Sequence, residues 1–107
     1  MIWDKEPDEK LVWVAGMIGF MDCLKKSQCP QTVALAQEIQ HVVSHVAQPK
    51  VQGLPLYQDI DDLRREIADY LIEGRVVLTP EEDDEWQSFK ELTQDAHDKY
   101  WRGFQTI

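Results

Sequence analysis

The chain has 107 residues, of which 43% are hydrophobic, so it fits one folded domain over residues 1–107 and is not intrinsically disordered. Its net charge is −9, and from Asp59 onward fourteen acidic side chains stand against six basic ones. Because nucleic-acid phosphates bind to basic patches, this charge argues against direct nucleic-acid binding. The acidic N-terminal sequence lacks the pattern of a secretory signal, so we expect a cytoplasmic protein with Cys23 and Cys29 as free thiols.

The most apolar stretch, residues 11–24, predicts a central helix that begins at Pro7 and ends at Lys26 (predicted helix 1). Its apolar side chains form two adjoining stripes, one of Leu11, Val14, Ile18 and Met21 and one of Trp13, Met17, Phe20 and Leu24. Because a helix that is apolar on most of its circumference is usually buried, we predict that the side chains of both stripes are buried. Asp22 interrupts the run, which falls short of the roughly 18–20 residues of a membrane span, so we expect no association with a membrane.

A shallow notch in predicted helix 1 favours close approach of another backbone. The notch consists of Ala15, Gly16 and Gly19, and the two apolar stripes beside it offer more surface than three partner helices readily cover. We therefore expect a homodimer through helix 1. Ahead of the helix, Ile2 and Trp3 are expected to dock onto the core.

Two amphipathic helices follow. Predicted helix 2 covers residues 30–48 between two prolines, and predicted helix 3 runs from Asp59 as N-cap to Gly74 as left-handed C-cap. Their inward stripes contain Leu35, Ile39, Val42 and Val46 in helix 2, and Ile60, Leu63, Ile67, Tyr70 and Leu71 in helix 3. Their outward faces carry Glu38, His41 and His45 in helix 2, and Asp61, Arg65 and Asp69 in helix 3. Between the helices, residues 51–57 are predicted to form a loop or a short strand.

The clearest sequence signal for the start of a helix follows residues 75–78, which are predicted to form a short extended linker. Thr79 is the predicted N-cap, Pro80 takes the first helical position, and Glu82 completes a capping box. Predicted helix 4 then continues without a break, with a buried face of Trp86, Phe89, Leu92, Thr93, Ala96, Tyr100 and Phe104. Four helices with short connections predict an all-α fold, specifically a compact antiparallel four-helix bundle.

Predicted helices 2 and 3 carry side chains at the spacing of metal ligands. Glu38, His41 and His45 recur at i, i+3 and i+7, and Glu66 and Asp69 lie one turn apart, so each set can point its donors one way. The same spacing is typical of a solvated helix face. We favour that interpretation, and with it a protein without a metal or cofactor.

The sequences QEIQH at 37–41 and REIADYLI at 65–72 resemble the two metal-binding helices of the all-α NTP pyrophosphohydrolases. In that family an EExxE helix and an ExxD helix jointly hold magnesium against the phosphates of a nucleotide. Glu66 and Asp69 match the second motif, whereas Gln37 and His41 stand where the first motif has glutamates. The resemblance implies, as an alternative function, a degenerate metal-dependent nucleotide pyrophosphohydrolase with metal ligands Glu38, His41, Glu66 and Asp69.

The densest charge in the chain is the acidic run at residues 81–85. Acidic side chains in a first helical turn interact favourably with the helix dipole, but five in succession exceed what a helix start needs. We therefore predict a surface that binds a basic protein partner, such as a nucleic-acid-binding protein. The residues predicted to form this surface are Glu81, Glu82, Asp83, Asp84, Glu85, Asp61 and Asp62.

Sequence motifs of catalysis do not point to an enzyme. The chain contains no nucleophile elbow, no glycine-rich phosphate loop and no Ser/His/Asp arrangement, so we expect no catalytic residues. The favoured function is a small acidic inhibitor or neutraliser, of the immunity, antitoxin or phage counter-defence type, that covers a basic surface of its partner. An accessory or adaptor subunit is a second non-enzymatic alternative.

Overall fold

The structure is a computed structural model that describes residues 5–105, with side chains described from residue 8 to residue 102. Within these residues the chain forms five helices and no strand, which confirms the all-α prediction. The helices are α1 Lys5–Lys25, α2 Pro30–Val46, α3 Gly53–Ile72, α4 Pro80–Leu92 and α5 Gln94–Gln105. None of them is long and apolar enough to cross a membrane. The predicted docking of Ile2 and Trp3 lies outside the described residues.

The N-cap of helix α3 is Gln52, seven residues or about two turns before the predicted N-cap Asp59. The short strand predicted at residues 51–57 is therefore wrong, and Gln52 is the extended residue that precedes the helix. Pro55 is compatible with this start because the first backbone N–H groups of a helix have no intrahelical partner. The earlier start adds Leu56 to the buried stripe of Ile60, Leu63 and Ile67. The far end agrees with the sequence, since Gly74 takes the left-handed conformation at φ 74°.

The predicted fourth helix is divided at Thr93, so the prediction of one continuous helix is wrong. Thr93 is fully buried, and its backbone leaves the helical region at φ −101° and ψ 5°. Its hydroxyl donates a hydrogen bond of 2.7 Å to the carbonyl oxygen of Phe89, one turn earlier. Such a bond competes with the regular backbone pattern and bends helices. The break lets α4 pack on α1 while α5 packs on α3.

The buried apolar side chains form one contiguous cluster built around α1. Helix α1 packs against α2 and α4, and α3 packs against α5 and α2. The stripe of Trp13, Met17, Phe20 and Leu24 is buried as predicted. An aromatic group at the α1–α4 contact fills much of this core, with the ring centroids of Trp86 and Phe89 5.5 Å apart.

Only Met21 and, in part, Val14 of the second stripe of α1 pack in the core, so the prediction that both stripes are buried is wrong. Leu11 is 69% exposed and Ile18 is 38% exposed, whereas Met21 is buried. The physical reason is that helices on only two sides of α1 leave part of its circumference uncovered. The predicted notch is occupied at Gly16 by the Leu92 side chain of the same chain, because a Cβ atom on Gly16 would lie 2.9 Å from Cδ1 of Leu92. Leu92 itself is 41% exposed, contrary to its predicted burial.

Candidate functional site

The acidic run at residues 81–85 begins helix α4, and one of its members has a structural role. Glu82 forms the predicted capping box with Thr79: the Glu82 backbone N–H donates to the Thr79 hydroxyl at 3.2 Å, and the Thr79 N–H donates to Glu82 Oε1 at 3.0 Å. The Glu82 side chain is buried as a result. Glu82 is therefore part of the helix start and contributes little to the accessible surface.

The other four acids of the run remain on the surface, and we call them the acidic edge: Glu81, Asp83, Asp84 and Glu85. Glu85 is half-buried and the other three are exposed. Among the described residues, no Lys, Arg or His forms an ion pair with any of them. The fold thus uses one carboxylate of the run for capping and leaves four without a cationic partner in the described part of the chain.

A cleft of 390 Å³ separates the acidic edge from the C-terminal end of α1. Its lining includes Asp22, Cys23 and Lys26 of α1 opposite Glu81 and Glu85. Burial, together with the nearby carboxylates of α4, raises the pKa of the Cys23 thiol, so this sulfur is uncharged near neutral pH. Cys23 and the exposed Cys29 are both free thiols in the structure. The described lining of the cleft thus combines several carboxylates with one uncharged thiol.

Asp61 and Asp62 lie elsewhere, so the structure does not bring the predicted partner-binding residues into one surface. The prediction that Asp61 points outward is wrong: it is 1% exposed and accepts a hydrogen bond from Nδ1 of His97 on α5. Its second oxygen lies 3.2 Å from Nε of Arg65. Asp62 is exposed and pairs with the same arginine. Thr93 lies eleven positions after Glu82, which is about 16 Å along helix α4. His97 lies beyond Thr93, so the Asp61–His97 contact is at the opposite end of α4 from the acidic edge.

His97 is a structurally important residue that the sequence did not single out. Its acidic neighbours in the sequence predict an exposed histidine with no evident role. In the structure it joins α5 to the buried carboxylate of Asp61 on α3. The two residues are separated by 36 positions. No local pattern reports a contact of that kind, because it depends on how α5 packs against α3.

A second cluster of titratable groups lies between α2 and α3. Glu38 is predicted to face solvent, but it is half-buried, and the Tyr70 hydroxyl donates to its two carboxylate oxygens at 3.0 and 3.2 Å. The Glu66 carboxyl also hydrogen-bonds to Glu38, and this contact, with burial, raises the pKa of Glu66 to about 6. Two carboxyl groups in contact share a proton more readily than they carry two charges.

A cleft beside this cluster contains two further members of the predicted metal set, His41 and His45. His41 and Glu66 line a shallow cleft of 270 Å³, in which Nε2 of His45 lies 3.2 Å from Oδ2 of Asp59. Asp69 is exposed. In the part of the chain that the structure describes, no three His, Cys, Asp or Glu side chains are grouped so that they could hold a metal ion. The structure therefore brings together Glu38 and Glu66 of that set, without a complete ligand shell.

No known protein family, curated protein or solved structure matches this chain. Two features of the geometry remain as the basis for a functional proposal. The acidic edge presents carboxylates that have no cationic partner among the described residues, and between α2 and α3 the contact with Glu38 raises the pKa of Glu66.

We expect Glu66→Gln to flatten the pH dependence of stability between pH 4.5 and about 6. In the wild-type protein the folded-state pKa of Glu66 is raised above its ordinary value, so the folded chain holds the proton more tightly than the unfolded chain does. This stabilisation is fully present below pH 4.5 and is lost as pH rises through about 6. Glutamine keeps a hydrogen-bond donor toward Glu38 but does not ionise.

Thermal unfolding at intervals across that pH range measures the effect. Asp69→Asn is the matched control, because Asp69 is an exposed carboxylate one turn away on the same helix. The control should keep the wild-type slope of melting temperature against pH. A Glu66→Gln protein with the wild-type slope would show that the carboxyl pair does not contribute.

Proposed function

We propose that this protein is a non-catalytic binding protein that recognises a basic surface of another protein through its acidic edge. The observation that carries the proposal is the set of four surface carboxylates at the start of α4 that have no cationic partner among the described residues. Carboxylates held at neighbouring positions on a folded helix create a concentrated negative potential, which attracts a basic partner and accelerates association.

Stabilisation of α4 alone accounts poorly for this concentration of charge. An acidic side chain in the first turn contributes about 0.3–1 kcal/mol through the helix dipole, and the effect falls off beyond that turn. Glu82 already satisfies the cap, while Asp84 and Glu85 follow the first-turn acids Glu81, Glu82 and Asp83. Further carboxylates therefore add repulsion between neighbours, which a basic partner would relieve. The simplest such protein is an inhibitor that covers the basic surface of its target; an adaptor subunit would use the same contact.

Charge reversal at the acidic edge is expected to weaken partner binding. The double variant Asp83→Lys/Asp84→Lys changes two exposed side chains and leaves the capping box intact. The matched control is Glu91→Lys/Asp95→Lys, which changes net charge by the same amount at two exposed acids near the Thr93 break. We expect the first variant to slow association with a captured basic partner by about tenfold or more, and the control to have a much smaller effect.

The measurement is affinity capture from host lysate at low salt, followed by stepwise salt elution and association kinetics on the recovered partner. Capture should weaken steeply with ionic strength, because the Debye length falls from about 10 Å at 0.1 M to about 3 Å at 1 M salt. Equal capture by both double variants would contradict a role for the acidic edge. Melting temperatures of the variants serve as a check that folding is unchanged.

The nucleotide pyrophosphohydrolase alternative requires a metal that binds the native state. Such a metal would raise the melting temperature by mass action. Thermal unfolding with and without magnesium, manganese or zinc therefore separates the two functions. A metal-induced rise in melting temperature that Glu66→Gln abolishes would favour the enzyme and would place its metal site at the α2–α3 cluster.

A further inference from the structure

Helix α1 presents an apolar face that the described part of its own chain leaves uncovered. Leu11, Val12 and Ile18 are 69%, 47% and 38% exposed. Leu92 of α4 adjoins this face because it packs against Gly16 of α1, and it is 41% exposed. Single exposed apolar side chains are ordinary on protein surfaces, but several on one continuous surface indicate an interaction site.

The centre of this face carries small residues, and its two ends carry opposite charges. Ala15 and Gly19 are exposed and lie one turn apart, so another helix can approach closely at that point, where a Cβ atom on Gly19 would lie 3.6 Å from Oε2 of Glu85. Asp8, Ala15 and Lys26 are separated by 7 and 11 residues. Both intervals are close to whole numbers of helical turns, so Asp8 and Ala15 lie along one line of α1, and Lys26, the residue after the end of α1, lies near the extension of that line. Asp8 and Lys26 are both exposed, one near each end of α1.

We propose that two copies of the chain associate through this face, with their α1 helices antiparallel about a two-fold axis at the level of Met17. Asp8 and Lys26 each lie nine positions from Met17, and Ala15 and Gly19 each lie two positions from it. An antiparallel two-fold pair brings such equidistant residues opposite each other. Asp8 of one copy then faces Lys26 of the other, and Ala15 faces Gly19. The occupant is a second copy because the two ends of the face complement each other in charge and its centre complements itself in shape.

This association is weak and depends on concentration. One helix face buries less than the roughly 800 Å² per partner of a typical stable interface. Each copy carries a net charge of −9, and Asp22 falls opposite Val12 of the second copy at the rim of the contact. Exposed ion pairs contribute little to association, so the repulsion between copies dominates the response to salt. Added salt therefore strengthens self-association, whereas it weakens binding to a basic partner.

Sedimentation equilibrium of the full chain over a range of concentrations tests the proposal. The mean mass should rise from 12.5 kDa toward twice that value with concentration, and should rise further at higher salt. Leu11→Glu should keep the chain monomeric without lowering its melting temperature. The matched control is Val77→Glu, which adds the same charge at an apolar side chain 79% exposed in the linker before α4 and should associate as the wild type does.

A charge exchange tests the antiparallel arrangement. Asp8→Lys alone should weaken self-association, and adding Lys26→Asp should restore it, because the same two positions face each other in the pair. A single 12.5 kDa species at every concentration and salt, or a double exchange that fails to restore association, overturns the proposal. The proposed function is tested separately, since Asp83→Lys/Asp84→Lys does not alter the α1 face and Leu11→Glu does not alter the acidic edge.

Discussion

Phe89→Ala should lower the free energy of unfolding by about 3–5 kcal/mol, the usual cost of removing a large aromatic side chain from a core. Phe89 is fully buried, and its ring centroid lies 5.9 Å from that of Phe20 and 5.5 Å from that of Trp86. It also precedes the break at Thr93, whose hydroxyl bonds to the Phe89 carbonyl. The truncation therefore opens a cavity between α1 and α4 at the point where the chain turns toward α3.

Ile18→Ala is the matched control, and it should cost less than about 1 kcal/mol. Ile18 lies on α1, the helix that carries the Phe20 ring in contact with Phe89, but 38% of Ile18 is exposed, and alanine has the higher helix propensity. Urea denaturation of both variants measures the difference. If the two substitutions cost the same, the assignment of Phe89 to the core and of Ile18 to the surface would be incorrect.

His97→Ala should destabilise the protein by about 2–3 kcal/mol, because it leaves a buried carboxylate without its main tertiary hydrogen bond. Asp61 is 1% exposed and accepts its hydrogen bond from His97, while the imidazole is 35% exposed. Breaking a buried pair costs more when the remaining charge cannot reach water. Because this contact joins α5 to α3, the lost stability should appear first as weaker packing of α5 against α3.

Arg65→Ala is the control for this prediction, since Arg65 contacts the same carboxylate from within α3. It is 55% exposed and four residues from Asp61, so its removal should cost less than about 1 kcal/mol. Urea denaturation gives the two free energies, and amide hydrogen exchange locates the change. Faster exchange confined to α5 in His97→Ala is the expected pattern, whereas equal losses in both variants would argue against a tertiary role for His97.

The sequence by itself determined the features of this protein that depend on neighbouring residues. The capping box of Thr79 and Glu82, the proline at the start of α2 and the left-handed Gly74 after α3 all form where the sequence places them. Each depends on backbone groups within about one helical turn, and side-chain chemistry alone specifies it. The all-α class and the buried stripe containing Trp13 and Phe20 follow from periodicity in the same way.

The tertiary structure decided which of several locally acceptable arrangements forms. Leu11 and Phe20 are equally apolar, and only the positions of α2 and α4 decide which of them is buried. The pattern around Thr93 is compatible with a continuous helix, and the packing of α4 and α5 on different helices favours a break there. The contacts of Asp61 with His97 and of Glu38 with Glu66 join residues 36 and 28 positions apart. Such contacts depend on the free energy of helix packing, which helical periodicity does not encode.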